Sequence, residues 1–124
     1  MTTHRRVLRL SMLALGLVLI AWIGSVVWSA IDEGAVPPDS AFQIIPQPSE
    51  AGEISTRCGS GGCWREMVVN VREPQTALSL AAEMGVVSER CEPMNLWTLR
   101  KTCTGIADDR TGLKVYLRYS VLGS

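Results

Sequence analysis

The sequence has few groups that catalyse reactions by proton transfer. Its one histidine, His4, lies near the start of the chain, which excludes Ser-His-Asp and Cys-His catalysis from the rest. No glycine-rich segment has the spacing of a phosphate-binding or dinucleotide-binding loop. We therefore expect no catalytic site, no cofactor and no metal ion, and nothing in the sequence indicates a nucleic-acid partner.

Charge is absent from residues 10–31, which read LSMLALGLVLIAWIGSVVWSAI. A helix of this length rises roughly 33 Å, enough to cross the hydrocarbon core of a bilayer. Arg5, Arg6 and Arg9 precede it and acidic residues follow, so residues 1–9 are predicted to be a cytoplasmic tail and the remainder extracytoplasmic. The sequence thus predicts a single-pass protein of the cell membrane with an uncleaved signal-anchor.

A cleaved signal peptide is the alternative interpretation of this segment. Val27 and Ser29 stand near Ala30 in a passable cleavage pattern, and cleavage would release a small secreted domain. The apolar stretch exceeds the apolar region of about 7–15 residues that is typical of a signal peptide, which favours a retained anchor. Both interpretations export the rest of the chain.

Basic residues are absent from residues 32–53, which contain four prolines and five acidic residues. Proline removes a backbone donor and favours extended conformations, so this segment is predicted to be a semi-rigid tether that holds a head away from the membrane. Phe42, Ile44 and Ile45 interrupt its polar composition. We expect these three residues to pack on the head rather than to contact a partner.

Residues 54–124 are predicted to form this head, a small α+β domain with an antiparallel-rich sheet and one helix. Alternating apolar residues predict strands over 54–58, 63–72, 96–103 and 113–121, and a turn-rich segment between the last two predicts a hairpin. Pro74 is predicted to begin the helix and Gly85 to end it, because proline suits a first helical turn and glycine a left-handed cap.

Four cysteines in an exported domain of this size are typical of disulfides. Cys58 and Cys63 flank four small residues in CGSGGC, and a hairpin would place them opposite one another. Cys91 and Cys103 then pair by exclusion. An extended strand from Leu96 to Cys103 would carry the two apart, so either that strand is shorter or the bonds cross between elements. We prefer the pairs 58–63 and 91–103.

Two alternatives give Cys58 and Cys63 a chemical role. A Cys₄ zinc site needs two closely spaced pairs, and Cys91 and Cys103 are too far apart in sequence to form the second. A redox dithiol of the thioredoxin type has the spacing C-x-x-C before a helix, whereas CGSGGC is longer and precedes a predicted strand. The sequence favours structural disulfides over an exported thiol–disulfide or metal-handling protein.

One face of the predicted sheet combines basic and aromatic residues. If the apolar residues of the strands pack under the helix, the other face carries a candidate partner-binding set: Trp64, Arg72, Arg100, Lys114, Tyr116 and Arg118. Such a face suits an acidic protein or an anionic envelope component, although solvated polar faces are also ordinary in antiparallel sheets. We therefore predict a non-enzymatic membrane protein that binds a protein partner or envelope component, for example as an accessory subunit of a membrane complex.

Overall fold

The computed structural model describes residues 2–32, 34–109 and 112–121, without the side chains of Asp108 and Asp109. Helix α1 spans Thr2–Ile31, and a short 3-10 turn follows at Asp39–Ala41. The head contains strands β1 (Glu50–Gly59) and β2 (Gly62–Asn70), helix α2 (Ala77–Met84), and strands β3 (Arg90–Pro93), β4 (Arg100–Asp109) and β5 (Gly112–Val121).

The five strands form one antiparallel sheet in the order β1-β2-β5-β4-β3. The strand that comes last in the sequence therefore lies at the centre. It pairs with β2 on one side and β4 on the other, and joins two hairpins that are each local in sequence. The predicted antiparallel sheet with one further helix is confirmed.

The core lies between α2 and one face of the sheet. Met67 and Val69 of β2 and Leu113 and Val115 of β5 alternate with exposed or half-buried residues, as a sheet with one covered face requires. The helix contributes Leu80, Ala81 and Met84 from a stripe at helical spacing. Burial of these apolar side chains is what holds α2 on the sheet.

The segment predicted to be a tether runs over the head. Pro37, Ile45 and Ser49 are buried, and Phe42 packs against the core cluster that contains Ile45. Ile44 points away and is almost fully exposed. Strand β1 begins at Glu50, four residues before the predicted start of the head, so part of the proline-rich segment belongs to the sheet and its core.

Helix α2 begins later than the sequence predicted. Thr76, not the residue before Pro74, caps its first turn: the Thr76 hydroxyl accepts from the Ser79 amide, and the Ser79 hydroxyl accepts from the Thr76 amide. This reciprocal pair gives hydrogen-bond partners to the backbone amides of Thr76 and Ser79, which have none within the helix. The predicted end is correct, because Gly85 takes the left-handed conformation with a φ of 71°.

Strand β4 is displaced by several residues from its predicted range. It begins at Arg100 rather than Leu96 and continues through Asp109, across residues that were predicted to be a turn. Residues 94–99 instead form a loop that reverses the chain, so Trp97 and Leu99 do not share a strand face. The reversal removes the geometric objection to the second disulfide, because Cys91 on β3 lies directly opposite Cys103 on β4.

Both preferred disulfides are present. Cys58 and Cys63 are cross-strand neighbours on β1 and β2 with a Cα separation of 4.1 Å, and Cys91 and Cys103 are separated by 4.0 Å. The first hairpin turns more tightly than predicted, since Gly59 pairs with Gly62 and only two residues form the turn. Each bond joins an edge strand to its inner neighbour.

Candidate binding face

The sheet face opposite α2, called the open face below, brings together four of the six residues predicted to bind a partner. Trp64 of β2 lies directly opposite Arg118 of β5, and Tyr116 is the next residue of β5 on the same face. Lys114 lies on the same face two residues before Tyr116, opposite Val68. Strand pairing alone thus assembles an aromatic pair with two basic neighbours.

The other two predicted residues lie elsewhere. Arg72 comes two residues after β2 ends and forms an ion pair of 3.0 Å with Glu50. Arg100 lies opposite Val121, on the covered side of the sheet, with its guanidinium 4.6 Å from the centre of the Tyr119 ring. The prediction took Trp97 and Leu99 as the core-facing residues of this strand, but both lie in the loop before β4, and within β4 the covered side carries Thr104 and Ile106, together with Arg100.

Acidic residues on the open face offset the basic ones. Glu66, opposite Tyr116, accepts a hydrogen bond of 2.8 Å from the Trp64 indole nitrogen and lies 3.8 Å from Arg57. Glu89, from the loop before β3, accepts from Arg118 at 2.5 and 3.1 Å and from the Tyr116 hydroxyl. The face is therefore an alternation of opposite charges around aromatic rings rather than an open basic surface.

Two small residues of β4 make room for the tyrosine. Gly105 lies opposite Tyr116, and a Cβ built on it would stand 2.6 Å from the tyrosine oxygen and 2.7 Å from the ring carbon that bears it. Glycine is thus required for the ring to lie across β4 and reach Glu89. Ala107 completes the floor of a shallow cleft of about 310 Å³, whose sides are Trp64, Glu66, Tyr116 and Arg118.

The contacts of Glu89 change the ionisation of the cluster. Hydrogen bonds from Arg118 are the main cause that lowers the pKa of Glu89, and the Tyr116 hydroxyl adds to them. Partial burial, followed by the bond to Glu89, raises the pKa of Tyr116 to about 12. Near neutral pH, Glu89 is therefore a carboxylate and Tyr116 a neutral phenol, and the phenol donates a hydrogen bond to the carboxylate.

A second group of contacts joins the head to α1. Arg100 donates a hydrogen bond of 3.2 Å to the carbonyl oxygen of Ser29 and lies 4.0 Å from the Asp32 carboxylate. A guanidinium at the last turn of a helix satisfies a free carbonyl and opposes the negative end of the helix dipole. The indole nitrogen of Trp22 also donates to the Leu96 carbonyl at 3.3 Å.

The cysteines contribute one group with the spacing of metal ligands. A carboxylate oxygen of Glu89 and the sulfurs of Cys91 and Cys103 all lie within 4.8 Å of one another. In the structure the two sulfurs are bonded to each other, and a disulfide offers no thiolate to a metal. The group is thus better described as a bridge whose exposed end contacts Glu89.

Four residues of this face were not predicted from the sequence: Glu66, Glu89, Gly105 and Ala107. Gly105 had a usable signal, because a lone glycine in an alternating strand pattern often marks a close approach by another group. It was assigned to a turn instead. Glu89 lies in the short polar segment Ser88-Glu89-Arg90, whose pattern gives no indication of what its side chain contacts.

No protein-family model, no curated protein and no solved structure is significantly similar to this chain. Helix α1 is nevertheless long and apolar enough to span a membrane: an 18-residue window has a mean hydropathy of 2.4, and none of that window is buried in the protein.

Proposed function

We propose that this chain is a single-pass protein of the cell envelope whose extracytoplasmic head binds another envelope protein through the Trp64–Tyr116 cleft. The N-terminal tail lies in the cytoplasm and α1 crosses the membrane. The observation that carries the binding role is the cleft itself, which is lined by the half-buried rings of Trp64 and Tyr116 together with Ala107 and Arg118. Tryptophan, tyrosine and arginine are the residues most enriched among interface hot spots.

The topology is supported by α1 and by the disulfides. A helix of 30 residues that leaves its apolar side chains exposed needs a non-aqueous environment. Disulfide bonds persist in oxidising compartments, and the two bonds follow the helix in sequence. The three arginines before the apolar segment favour a cytoplasmic N terminus.

A non-enzymatic role is supported by the chemistry of the cleft. A general acid or base needs a pKa near the working pH and a free proton position. Glu89 and Tyr116 have pKa values displaced in opposite directions away from neutrality, and their polar atoms bond one another. This arrangement favours a role in stabilising the surface over a role in proton transfer.

The alternative function is an exported thiol–disulfide or metal-handling protein that uses Cys58 and Cys63. Non-reducing peptide mapping of the protein from native membranes separates the two proposals. A binding module gives a cross-linked peptide that contains both cysteines. Alkylatable thiols at both positions, or a metal released by chelator, would favour the alternative.

The binding role is tested by co-purification of full-length protein from native membranes. We expect Trp64→Ala to weaken recovery of the partner, because truncating a hot-spot aromatic costs about 2 kcal/mol or more, roughly thirty-fold in Kd. Arg118→Glu should act in the same direction by placing two carboxylates side by side. Leu78→Ala, at a side chain 71% exposed on α2, is the matched control. Equal recovery from all four proteins would contradict the proposal.

A further inference from the structure

The turn between β3 and β4 concentrates exposed apolar side chains at one corner of the head. Residues 94–99 read MNLWTL and carry no charge. Leu96 is 87% exposed and Trp97 is 48% exposed, and Met94 and Leu99 are also open to solvent. Four exposed apolar side chains within six residues are a candidate interaction surface, because exposed apolar clusters are where proteins contact partners or membranes. We call residues 94–99 the apolar loop.

Hydrogen bonds hold the apolar loop in a closed shape. The Met94 amide donates to the Arg100 carbonyl at 2.9 Å, which closes the base of the loop. The Asn95 side chain accepts from the Thr98 amide and hydroxyl, each at 2.9 Å. Leu96 and Trp97 are thereby presented together at the tip, where neither reaches the core.

The position of the apolar loop relative to α1 indicates what covers it. Its Leu96 carbonyl accepts from Trp22, which lies nine residues before the end of α1 and therefore roughly 14 Å along the helix axis from that end. Trp22, Ser25, Val26 and Ser29 have helical spacing and are the less exposed residues of this half of α1. The loop thus lies beside the apolar surface of the helix, not beyond its end.

Charged residues follow directly after the apolar loop. Arg100 reaches the Ser29 carbonyl near the end of α1, and Lys101 is exposed beside it. The uncharged loop with its tryptophan would lie among the acyl chains and at their interface, and the two cations, at the level of the helix end, would lie among the headgroups. Long basic side chains at such a level extend towards the aqueous phase.

We propose that the apolar loop inserts into the outer leaflet of the bilayer that α1 crosses and holds the head against the membrane surface. The occupant is lipid, because the loop is continuous with the helix surface that faces lipid. This inference rests on the proposed membrane topology but not on the partner-binding role. The head is then a membrane-apposed domain with two points of attachment.

The test uses the full-length chain reconstituted in vesicles that contain only lipid, some of it brominated on the acyl chains. Wild type is compared with Trp97→Phe and with Trp64→Phe, so that each difference spectrum isolates one indole. We expect bromolipid to remove most of the Trp97 emission while aqueous iodide leaves it unchanged. Trp64, on the open face, should show the opposite response.

A matched pair of charge substitutions provides a second measurement. Leu96→Asp should shift the tryptophan emission of the chain to longer wavelength and expose Trp97 to iodide. Leu78→Asp, at a side chain on α2 that is 71% exposed, should change neither. The near-ultraviolet spectrum and the intact disulfides report that both variants fold.

The outcomes distinguish this inference from the proposed function. If carbonate washing leaves the chain in the membrane and iodide quenches Trp97 as strongly as Trp64, the loop does not insert and only this inference is wrong. If carbonate removes the chain from vesicles, the membrane topology itself is wrong and the inference falls with it. Lipid quenching of Trp97 supports both.

Discussion

Tyr116 illustrates how one glycine determines the chemistry of a surface. Because Gly105 has no side chain, the tyrosine ring lies across β4 and its hydroxyl reaches the carboxylate of Glu89. Glu89 in turn holds the Arg118 guanidinium through two nitrogens. The result is a fixed array of phenol, carboxylate and guanidinium, whose orientation depends on a residue that contributes no functional group.

Replacing Glu89 tests this array through the ionisation of Tyr116. In Glu89→Gln the pKa of Tyr116 should fall from about 12 towards its ordinary value of 10.0, since a neutral amide no longer opposes the tyrosinate. Absorbance titration of the tyrosinate checks this, and Tyr116→Phe identifies which part of the signal belongs to Tyr116. An unchanged titration in Glu89→Gln would contradict the array.

The same substitution changes the pH dependence of stability at both extremes. Tyr116 is protonated in folded and unfolded chains below pH 10, so its contribution is complete there and is lost as pH rises towards about 12. The lowered pKa of Glu89 gives a contribution that is present above its ordinary value of 4.5 and is lost in acid. Denaturant unfolding of Glu89→Gln should show a weaker dependence on pH in both ranges.

The positions of individual side chains on the open face could be predicted only in part from the sequence. Trp64, Tyr116 and Arg118 were placed on one face because β2 and β5 have clear alternation, and alternation fixes which side a residue faces. Arg100 was misplaced because the predicted core face of this strand was set by Trp97 and Leu99, which lie in the loop before β4, and within β4 the covered face carries the alternate positions, including Arg100. Glu89 reaches the face from a loop, and no periodicity predicts where a loop side chain points.

At the scale of elements, the two disulfides occupy equivalent positions in the sheet. Cys58–Cys63 joins edge strand β1 to β2, and Cys91–Cys103 joins edge strand β3 to β4. Edge strands have one unpaired side and are where a sheet opens first. The bonds therefore restrain the strands that have the fewest hydrogen-bonded neighbours.

We expect loss of the second bond to be the more destabilising. The chain-entropy model gives roughly 2 kcal/mol for a closed loop of about six residues and roughly 3 kcal/mol for about thirteen. Cys103 is also fully buried while Cys58 is exposed, so Cys91→Ala with Cys103→Ala leaves a gap in addition. Denaturant unfolding of the two double variants checks the order, and equal midpoints would contradict it.

The sequence predicted which helices and strands are present more accurately than where each of them begins and ends. The hairpins, α2 and its glycine cap follow from alternation, apolar spacing and the need for positive φ. The predicted start of α2 was wrong because Pro74 suits a first helical turn, whereas the equally local Thr76–Ser79 pair caps the helix three residues later. The shift of β4 reflects the reversal at residues 94–99, which only the pairing of β3 with β4 imposes.

At the scale of the whole molecule, Arg100 connects the sheet to α1. Its guanidinium stacks on Tyr119 and caps the final turn of the helix at Ser29. The predicted tether implied a head held apart from the helix, and composition could not show otherwise because proline-rich segments also run over surfaces. The contact between Arg100 and Ser29 depends on how the whole chain folds, so the composition of the segment between them does not predict it.

Removing this cap should loosen the end of α1 without unfolding the head. In Arg100→Gln, the Asp32 amide, which donates to the Trp28 carbonyl at 3.1 Å, should exchange its hydrogen faster. The adjacent Lys101→Gln, at an exposed side chain, is the control and should leave exchange at Asp32 unchanged. Equal exchange in both variants would show that Arg100 does not stabilise the helix end.

The central place of β5 in the sheet has a consequence for the order of assembly. With the topology proposed above, export from the N-terminal end brings the β1–β2 hairpin and then β3 with the start of β4 to the oxidising side first, and each can close its disulfide between cysteines only 5 and 12 positions apart. Among the strands that the structure describes, no pairing joins these two pieces until β5 arrives and pairs with both β2 and β4. The sheet is therefore completed from its two margins inward, and a translocation intermediate would expose two oxidised half-sheets to chaperones and proteases until the final strand pairs.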